Sequence, residues 1–362
     1  MEFVKTDVLA RLLVPPAYED DVHLIERRYD PLTGAQCRIN ARRAARVSGS
    51  MAVTDLTEFT SKPPTCPFCP ENLEESTPRF PESFCAQGRI KVGECSLFPN
   101  LFPLAGYHAA ATLCAAHFLD LDGFGPDMVA DSLEAAKEYL GCVKRSSGHD
   151  VYPIYLWNHL PPSAASVVHP HVQVLADGRP TPYQQRLIDA SSEYCARTGR
   201  SFWTDIVEEE KRRGERYIWG GEWVTAIASF APQGNREIQV IFKGAVNLAD
   251  LTRPQMAEFG RCVVTLLRGY SRMGVNSFNL CLFSGPLGQR PDHYSLHAKL
   301  ISRPVFQPYY RNDTGILERF HYEADIETMP EVVAENMVSL FQKGAGAQGS
   351  GVPSPGPGWR ST

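Results

Sequence analysis

Asn158-His159-Leu160-Pro161-Pro162-Ser163-Ala164-Ala165-Ser166-Val167-Val168-His169-Pro170-His171-Val172-Gln173 is the stretch on which the reading of this chain turns. Residues 151–157 before it have strand character, 158–168 are a loop of Pro, Ser and Ala, and 171–175 read as a second strand. A strand sends residues i and i+2 to one face, so His169, His171 and, two further on, Gln173 address one site. An imidazole whose tautomer is fixed by a hydrogen bond is a competent nucleophile toward phosphorus. Its product, a phosphoramidate, is reactive enough to pass the group on. Gln173 is then placed to donate to a non-bridging phosphate oxygen. Paired histidines on a strand also serve as metal ligands or as packed side chains, and the pattern alone leaves all three open.

Outward from that stretch the chain alternates strands and helices. The first 64 residues are arginine-rich and broken by turn signals such as Asp30-Pro31-Leu32-Thr33-Gly34. A Pro/Cys/Glu-rich loop covers 62–81. Helical spacing marks 127–145, with Gly148 as a stop, and two further helices near 183–198 and 203–213. Strands are expected at 223–230, 237–242, 278–283 and 294–301, divided by a helix at about 250–270, and a last helix at 329–342. No close sequence repeat links the two halves. The expected class is α+β with antiparallel sheets.

Hydrophobic residues make up 43% and charged residues 21% of the 362, an ordinary globular composition. The net charge of −5 argues against a nucleic-acid partner. No apolar run of about 18 residues suggests a membrane span, and residues 1–7 lack the pattern of an export signal, so the cytoplasm is the expected location. Cys114, Cys142, Cys262 and Cys281 stand singly in apolar surroundings, as buried free thiols do. Cys66-Pro67-Phe68-Cys69 has the spacing that lets two thiolates meet one zinc ion. A redox pair or two buried thiols would look the same, and His117 and His169 are available as further ligands. Trp203, Trp219 and Trp223 read as core anchors, and His108, His293 and His321 as packed or solvent-facing.

Several segments, in one order along the chain, resemble the galactose-1-phosphate uridylyltransferases of the histidine-triad superfamily. The 158–173 stretch matches their pattern of Asn, small-residue loop, Ser and His-Pro-His-x-Gln. Arg27-Arg28-Tyr29-Asp30-Pro31-Leu32-Thr33-Gly34 is similar to their N-terminal strand-turn, and Arg43 and Arg46 fall at their phosphate-binding arginines. Cys66-Pro67-Phe68-Cys69-Pro70 matches their zinc CxxC, and Phe98-Pro99-Asn100-Leu101-Phe102 their nucleoside-binding strand. The resemblance covers about 27–337.

It implies two histidine-triad-like halves with antiparallel sheets flanked by helices, 1–199 with the metal and the nucleophile and 200–343, while the Gly/Pro/Ser-rich composition of 344–362 reads as a disordered tail. It implies a structural zinc on Cys66, Cys69, His117 and His169, with His171 and Gln173 as the catalytic pair. Arg43, Arg46, Asn100, Asn158, Ser166 and Glu323 would bind substrate. The implied activity is transfer of a nucleoside monophosphate, UMP, between a nucleoside-diphosphate sugar and a sugar 1-phosphate by a homodimer. Departures bear on the sugar and the pocket. Leu160 and Ala164 stand where the family carries glycines. Phe283, His297 and Lys299 stand where some members hold a second metal. Met329 replaces a sugar-binding glutamine, which leaves galactose ill supported. Two other functions stay in view: a phosphorylase or hydrolase of the same superfamily, and a zinc-stabilised binding protein without catalysis. Gln173 weighs against hydrolysis, where a third histidine is usual, and retention of His171 weighs against a pure binder.

Overall fold

The computed structural model describes residues 1–45, 56–307, 310 and 312–345. Arg46 and the part of the expected tail from 346 onward lie outside them.

The N-terminal segment forms β1 (Lys5–Val14), β2 (Glu19–Tyr29) and β3 (Gln36–Ile39), which with the late strand β14 (Glu323–Ile326) make a four-stranded sheet ordered β1-β2-β3-β14. The turn into β3 follows from its residues. The Asp30 carboxylate accepts from the backbone N–H groups of Leu32 and Thr33 at 3.2 and 2.7 Å, and Gly34 supplies a left-handed φ of 68°. Arg28, buried, is held by Glu26 and Glu331. The β1–β2 hairpin itself exposes apolar side chains, Leu9 at 61% and Tyr18 at 66% among them.

Two short helices, α1 (Thr57–Thr60) and α2 (Pro70–Ser76), lead into a ten-stranded sheet. Its first five strands are β4 (Ile90–Val92), β5 (Cys95–Pro99), β6 (Tyr107–Thr112), β7 (Tyr152–His159) and β8 (His171–Asp177), with α3 (Pro126–Ser147) between β6 and β7. After α4 (Pro182–Thr198) and α5 (Phe202–Arg213) come β9 (Tyr217–Gly220), β10 (Val224–Ala228), β11 (Ile238–Phe242), β12 (Phe278–Phe283) and β13 (His297–Ser302). Here α6 (Arg253–Arg272) stands between β11 and β12. The chain closes with α7 (Ile316–Phe320), β14 and α8 (Pro330–Ala345).

The strand order is β4-β5-β6-β8-β7-β12-β13-β11-β10-β9, all antiparallel. Read from either edge inward, each half has three strands in sequence, then the fifth, then the fourth. The halves are therefore related by a pseudo-twofold axis at the β7–β12 seam, where Leu156 pairs with Cys281. The fold is α+β with antiparallel sheets flanked by helices, save that β14 joins the four-stranded sheet parallel to β3.

Alternation along the strands divides the sheet's faces. One face (Leu97, Ala111, Val172, Trp157, Leu280, Ala298, Val240 and Ala226) packs on α3, α6 and α8 in one continuous core. At the seam Trp157 meets Phe124 and Phe278 edge-on at 4.8 and 5.0 Å, contacts worth about 0.5–1.5 kcal/mol each beyond area burial. Helix α6 starts with a capping box, the Thr252 N–H donating to the Gln255 side chain at 2.8 Å. Its Gly260 lets α3 approach, since a Cβ there would lie 2.4 Å from the Pro126 carbonyl oxygen. On the opposite face, α4 and α5 cover the second half through Leu187, Phe202, Trp203 and Ile206 against Ile227, Ile241 and Tyr294.

Candidate active site and metal centre

Strand β8 begins at His171, so His169 lies just before it and is released from the strand's alternation. The two rings consequently serve different neighbours. The Nε2–H of His169 donates to the Cys114 carbonyl at 2.9 Å, which leaves Nδ1 unprotonated. That Nδ1 lies 3.6 Å from Cys69 Sγ, and His117 Nδ1 lies 3.5 Å from the same sulfur. Cys66, Cys69, His117 and His169 bring their four ligand atoms within 4.8 Å of one another. The S···N separations are about those of ligands placed tetrahedrally at ~2.3 Å (S) and ~2.0–2.1 Å (N) from one zinc. The backbone carbonyl on the far side of His169 is the partner that metal-bound imidazoles usually have. Burial, with Cys66 beside it, raises the Cys69 thiol to about 11, and burial lowers His169 to about 4. A bound cation would offset the first cost and matches the neutral ring of the second. The donor set fits a closed four-ligand metal centre.

His171 is 7% exposed and faces the side of the sheet opposite the helical core. Its Nδ1 lies 2.8 Å from the His169 carbonyl, which only accepts, so Nδ1 carries the proton and Nε2 the lone pair. Burial lowers its pKa, partly opposed by that hydrogen bond, and the ring is neutral at neutral pH. Phe68, between the two cysteines, sets its ring 5.2 Å from His171 and 5.4 Å from Phe98. The metal loop thus walls one side of the histidine.

Gln173 shares the face of His171. Its Oε1 accepts from Asn100 Nδ2 at 3.2 Å and lies 2.9 Å from His108 Nε2. Asn158 comes two residues after Leu156, the cross-strand partner of Gln173, and so shares this face too. Its Oδ1 accepts from Asn279 Nδ2 at 2.6 Å, across the seam. Ser166 is exposed in the loop before the strand. Leu160 and Ala164 both have φ of 67°, a left-handed conformation that glycine adopts without strain. The loop keeps that backbone without the residue that suits it.

Arg43 lies in the 3-10 turn Ala41–Ala45 after β3, and Glu323 opens β14 of the four-stranded sheet. Arg43 pairs with Asp325, and Glu323 takes Arg38 Nε at 2.6 Å. Glu323 is thus a strand residue in an ion pair. Met329 packs against the apolar cluster around Cys37, Ile326 and Phe230. His108 is buried and tied to Gln173, a structural task beyond the bland packing expected of it. Phe68, His108 and Asn279 are site residues that sequence reasoning does not single out. Only the strand register, which pairs Ala110 with Gln173 and Asn158 with Asn279, brings the last two in. None of the ten cysteines is in a disulfide. Among the described residues no helix is long and apolar enough to cross a membrane.

No family model matches the sequence. An uncharacterized protein of Archaeoglobus fulgidus is 30% identical over 344 residues, 95% of this chain and 100% of that protein. Among solved structures, an ADP-glucose phosphorylase from Arabidopsis thaliana with bound ADP-glucose superposes with a TM-score of 0.67 at 17% identity, covering 87% of this chain and 98% of its own. A GalT-like protein from Arabidopsis thaliana gives 0.66 at 17%, covering 86% and 98%, and a uridylyltransferase gives 0.64 at 19%, covering 88% and 98%. The chain belongs to one family with the Archaeoglobus fulgidus protein, and its fold is that of the ADP-glucose phosphorylase, the GalT-like protein and the uridylyltransferase.

Proposed function

We propose that this protein moves a nucleoside monophosphate, UMP, between a nucleoside-diphosphate sugar and a sugar 1-phosphate, with His171 as the covalent carrier. The observation that carries the proposal is the hydrogen bond from His171 Nδ1 to the His169 carbonyl, which leaves Nε2 unprotonated on the sheet face that Gln173 shares. Nε2 attacks the α-phosphorus. A P–N bond forms as the P–O bond to the departing sugar 1-phosphate breaks, and that group leaves with the electron pair. A phosphate oxygen of a second sugar 1-phosphate then attacks the same phosphorus and returns the pair to Nε2. The kinetics are ping-pong.

In this reading Gln173, Asn158 and Ser166 hydrogen-bond the phosphoryl oxygens, and Asn100 lies toward the nucleoside. Arg43 and Arg46 neutralise phosphate and Glu323 contacts the sugar, assignments that rest on the family resemblance. We assign zinc to the Cys66, Cys69, His117 and His169 centre. Four protein ligands leave it no open position, so the ion supplies anchorage of the loop and strand that flank His171. A homodimer belongs to the same proposal and is supported by the exposed apolar β1–β2 hairpin. So do a cytoplasmic role in carbohydrate metabolism and a division of the chain near residue 199.

A second acceptor is favoured by the likeness to the ADP-glucose phosphorylase: the same intermediate handed to inorganic phosphate would make this protein a phosphorylase. Incubation with labelled UDP-glucose and ADP-glucose is expected to trap an acid-labile, base-stable adduct on His171. Chasing that adduct with sugar 1-phosphates, inorganic phosphate or water then ranks the acceptors. No adduct from either donor would overturn the proposal. Replacing Cys66 by Ser is expected to empty the metal centre, read by metal analysis, whereas His171→Gly leaves the metal content unchanged.

A further inference from the structure

Which end of an amide faces a site decides what it can hold, because its nitrogen only donates and its oxygen only accepts. Beside His171 stand two amides, Gln173 and Asn158. Their orientation is fixed by groups that have no choice of role.

For Gln173 two chains of hydrogen bonds converge. The backbone N–H of Leu104 donates to His108 Nδ1 at 3.0 Å, so the proton of that neutral ring is on Nε2. Nε2–H in turn points at Gln173 Oε1, 2.9 Å away. Independently, the backbone N–H of Phe102 donates to Asn100 Oδ1 at 2.9 Å, which turns Asn100 Nδ2 toward the same Gln173 oxygen at 3.2 Å.

Asn158 is fixed from the other half of the molecule. The Ser163 carbonyl can only accept and the Arg303 guanidinium can only donate. Asn279 lies between them and must direct Nδ2 to Ser163 at 2.9 Å and Oδ1 to Arg303 Nη1 at 3.1 Å. Asp313 holds Arg303 in place at 2.5 Å. The same Asn279 Nδ2 meets Asn158 Oδ1 at 2.6 Å. Both amide oxygens are thereby occupied. Neither Gln173 Nε2 nor Asn158 Nδ2 has a hydrogen-bond partner among the described residues.

We propose that His108 and Asn279 are positioning residues that lock the Gln173 and Asn158 amides with their N–H groups toward the ligand, making the polar rim beside His171 a donor-only cradle for phosphate oxygens. Neither residue touches the reacting atoms. Asn279 comes from β12, so the second half of the sheet sets the polarity of the first half's site. The inference rests on the reading of this site as one for a nucleoside-diphosphate ligand.

Asn279→Asp separates polarity from shape. The carboxylate keeps the Arg303 contact but cannot donate, so Asn158 turns over to donate to it and presents its oxygen to the ligand. Binding of uridine and adenosine diphosphates, and of the uncharged nucleosides, would be measured by calorimetry on the zinc-loaded full chain, with melting temperature as a control. The expected result for Asn279→Asp is about a tenfold or greater loss for the diphosphates and none for the nucleosides. Asn279→Ala, which frees Asn158 without reversing it, is expected to lose less, about threefold. His108→Phe also loses about threefold, because Asn100 still holds the Gln173 oxygen. Should Asn279→Asp not fold, the other two variants carry the test. Unchanged diphosphate-to-nucleoside selectivity in the folded variants would overturn the positioning role alone. A wild-type chain that binds neither diphosphate would overturn the site reading with it.

Discussion

The two halves of the ten-stranded sheet present the same histidine in the same place and put it to opposite ends. His171 opens β8 and His297 opens β13, and each ring is tied through Nδ1 to the carbonyl two residues earlier, at 2.8 and 3.0 Å. A triangle of polar groups stands beside each. In the first half it is His108, Asn100 and Gln173, all neutral. At the equivalent register the second half has Glu237, Ser229 and Lys299. There Glu237 accepts from Ser229 at 2.6 Å and pairs with Lys299 at 3.1 Å. His171 retains access, whereas His297 is fully buried, stacked on Trp203 at 4.0 Å and on Phe283 at 5.2 Å. A fixed tautomer is therefore not enough to make a reactive site. What differs is cover, supplied by α4 and α5, and the chemistry of the neighbours.

The sharpest way to break this contrast is to remove each histidine in turn. His171→Gly is expected to lower nucleotidyl transfer roughly a thousandfold or more, as loss of a nucleophile does. His297→Phe is expected to leave it within about twofold, and equal losses in a turnover assay would abolish the distinction. Next comes the plug. Trp203→Ala removes the ring over His297 and is expected to cost about 3–5 kcal/mol in denaturant unfolding. It should also open His297 to an acylating reagent that does not reach it in the parent chain. Lys299→Met leaves Glu237 buried without its cation and is expected to cost a similar ~3–5 kcal/mol, with transfer unaffected.

A smaller effect concerns pH. Burial holds His297 down to about 3, well under the ~6.5 of an unfolded chain. Between those values the unfolded state binds the extra proton, so stability falls as pH drops through 6.5 and levels off near 3. His159, also held at about 3, contributes with the same sign. In His297→Phe the acid-side slope of stability against pH should be shallower than in the parent by up to about 1.4 kcal/mol per unit. The smallest effect is at the loop. Ala164→Gly relieves a left-handed alanine and is expected to stabilise by about 1 kcal/mol, whereas Leu160→Gly also gives up a buried side chain and is not.

Much of the fold was legible where local signals agree. The helix expected at 127–145 is α3, bounded by Pro126 at its start and by Gly148 in a left-handed cap, and the strand expected at 278–283 is β12. The four residues of the candidate metal centre come together as the family resemblance implied, whereas the CxxC spacing alone pointed only to Cys66 and Cys69. The hairpin β1–β2 was not visible, because nearly all of β1 is exposed and its residues follow no alternation of apolar and polar. The internal repeat was hidden for another reason. Equivalent positions hold Gln173 and Lys299, Asn100 and Ser229, Asn158 and Phe283, so strand pairing preserves the relation and side chains do not. His108 and Asn279 escaped notice because their partners are 65 and 121 residues away, and only the register supplies them.

The seam between β7 and β12 bears on whether the halves can live apart. Six consecutive residues pair across it, from Phe278 with His159 to Phe283 with Ile154. Severed there, the half with His171 would present a bare strand edge with Trp157 on it, an invitation to aggregate. It would also lose Asn279. The half with the covered histidine thus supplies one wall of the region around His171, and a fragment cut at this seam is expected neither to stay soluble nor to keep that wall.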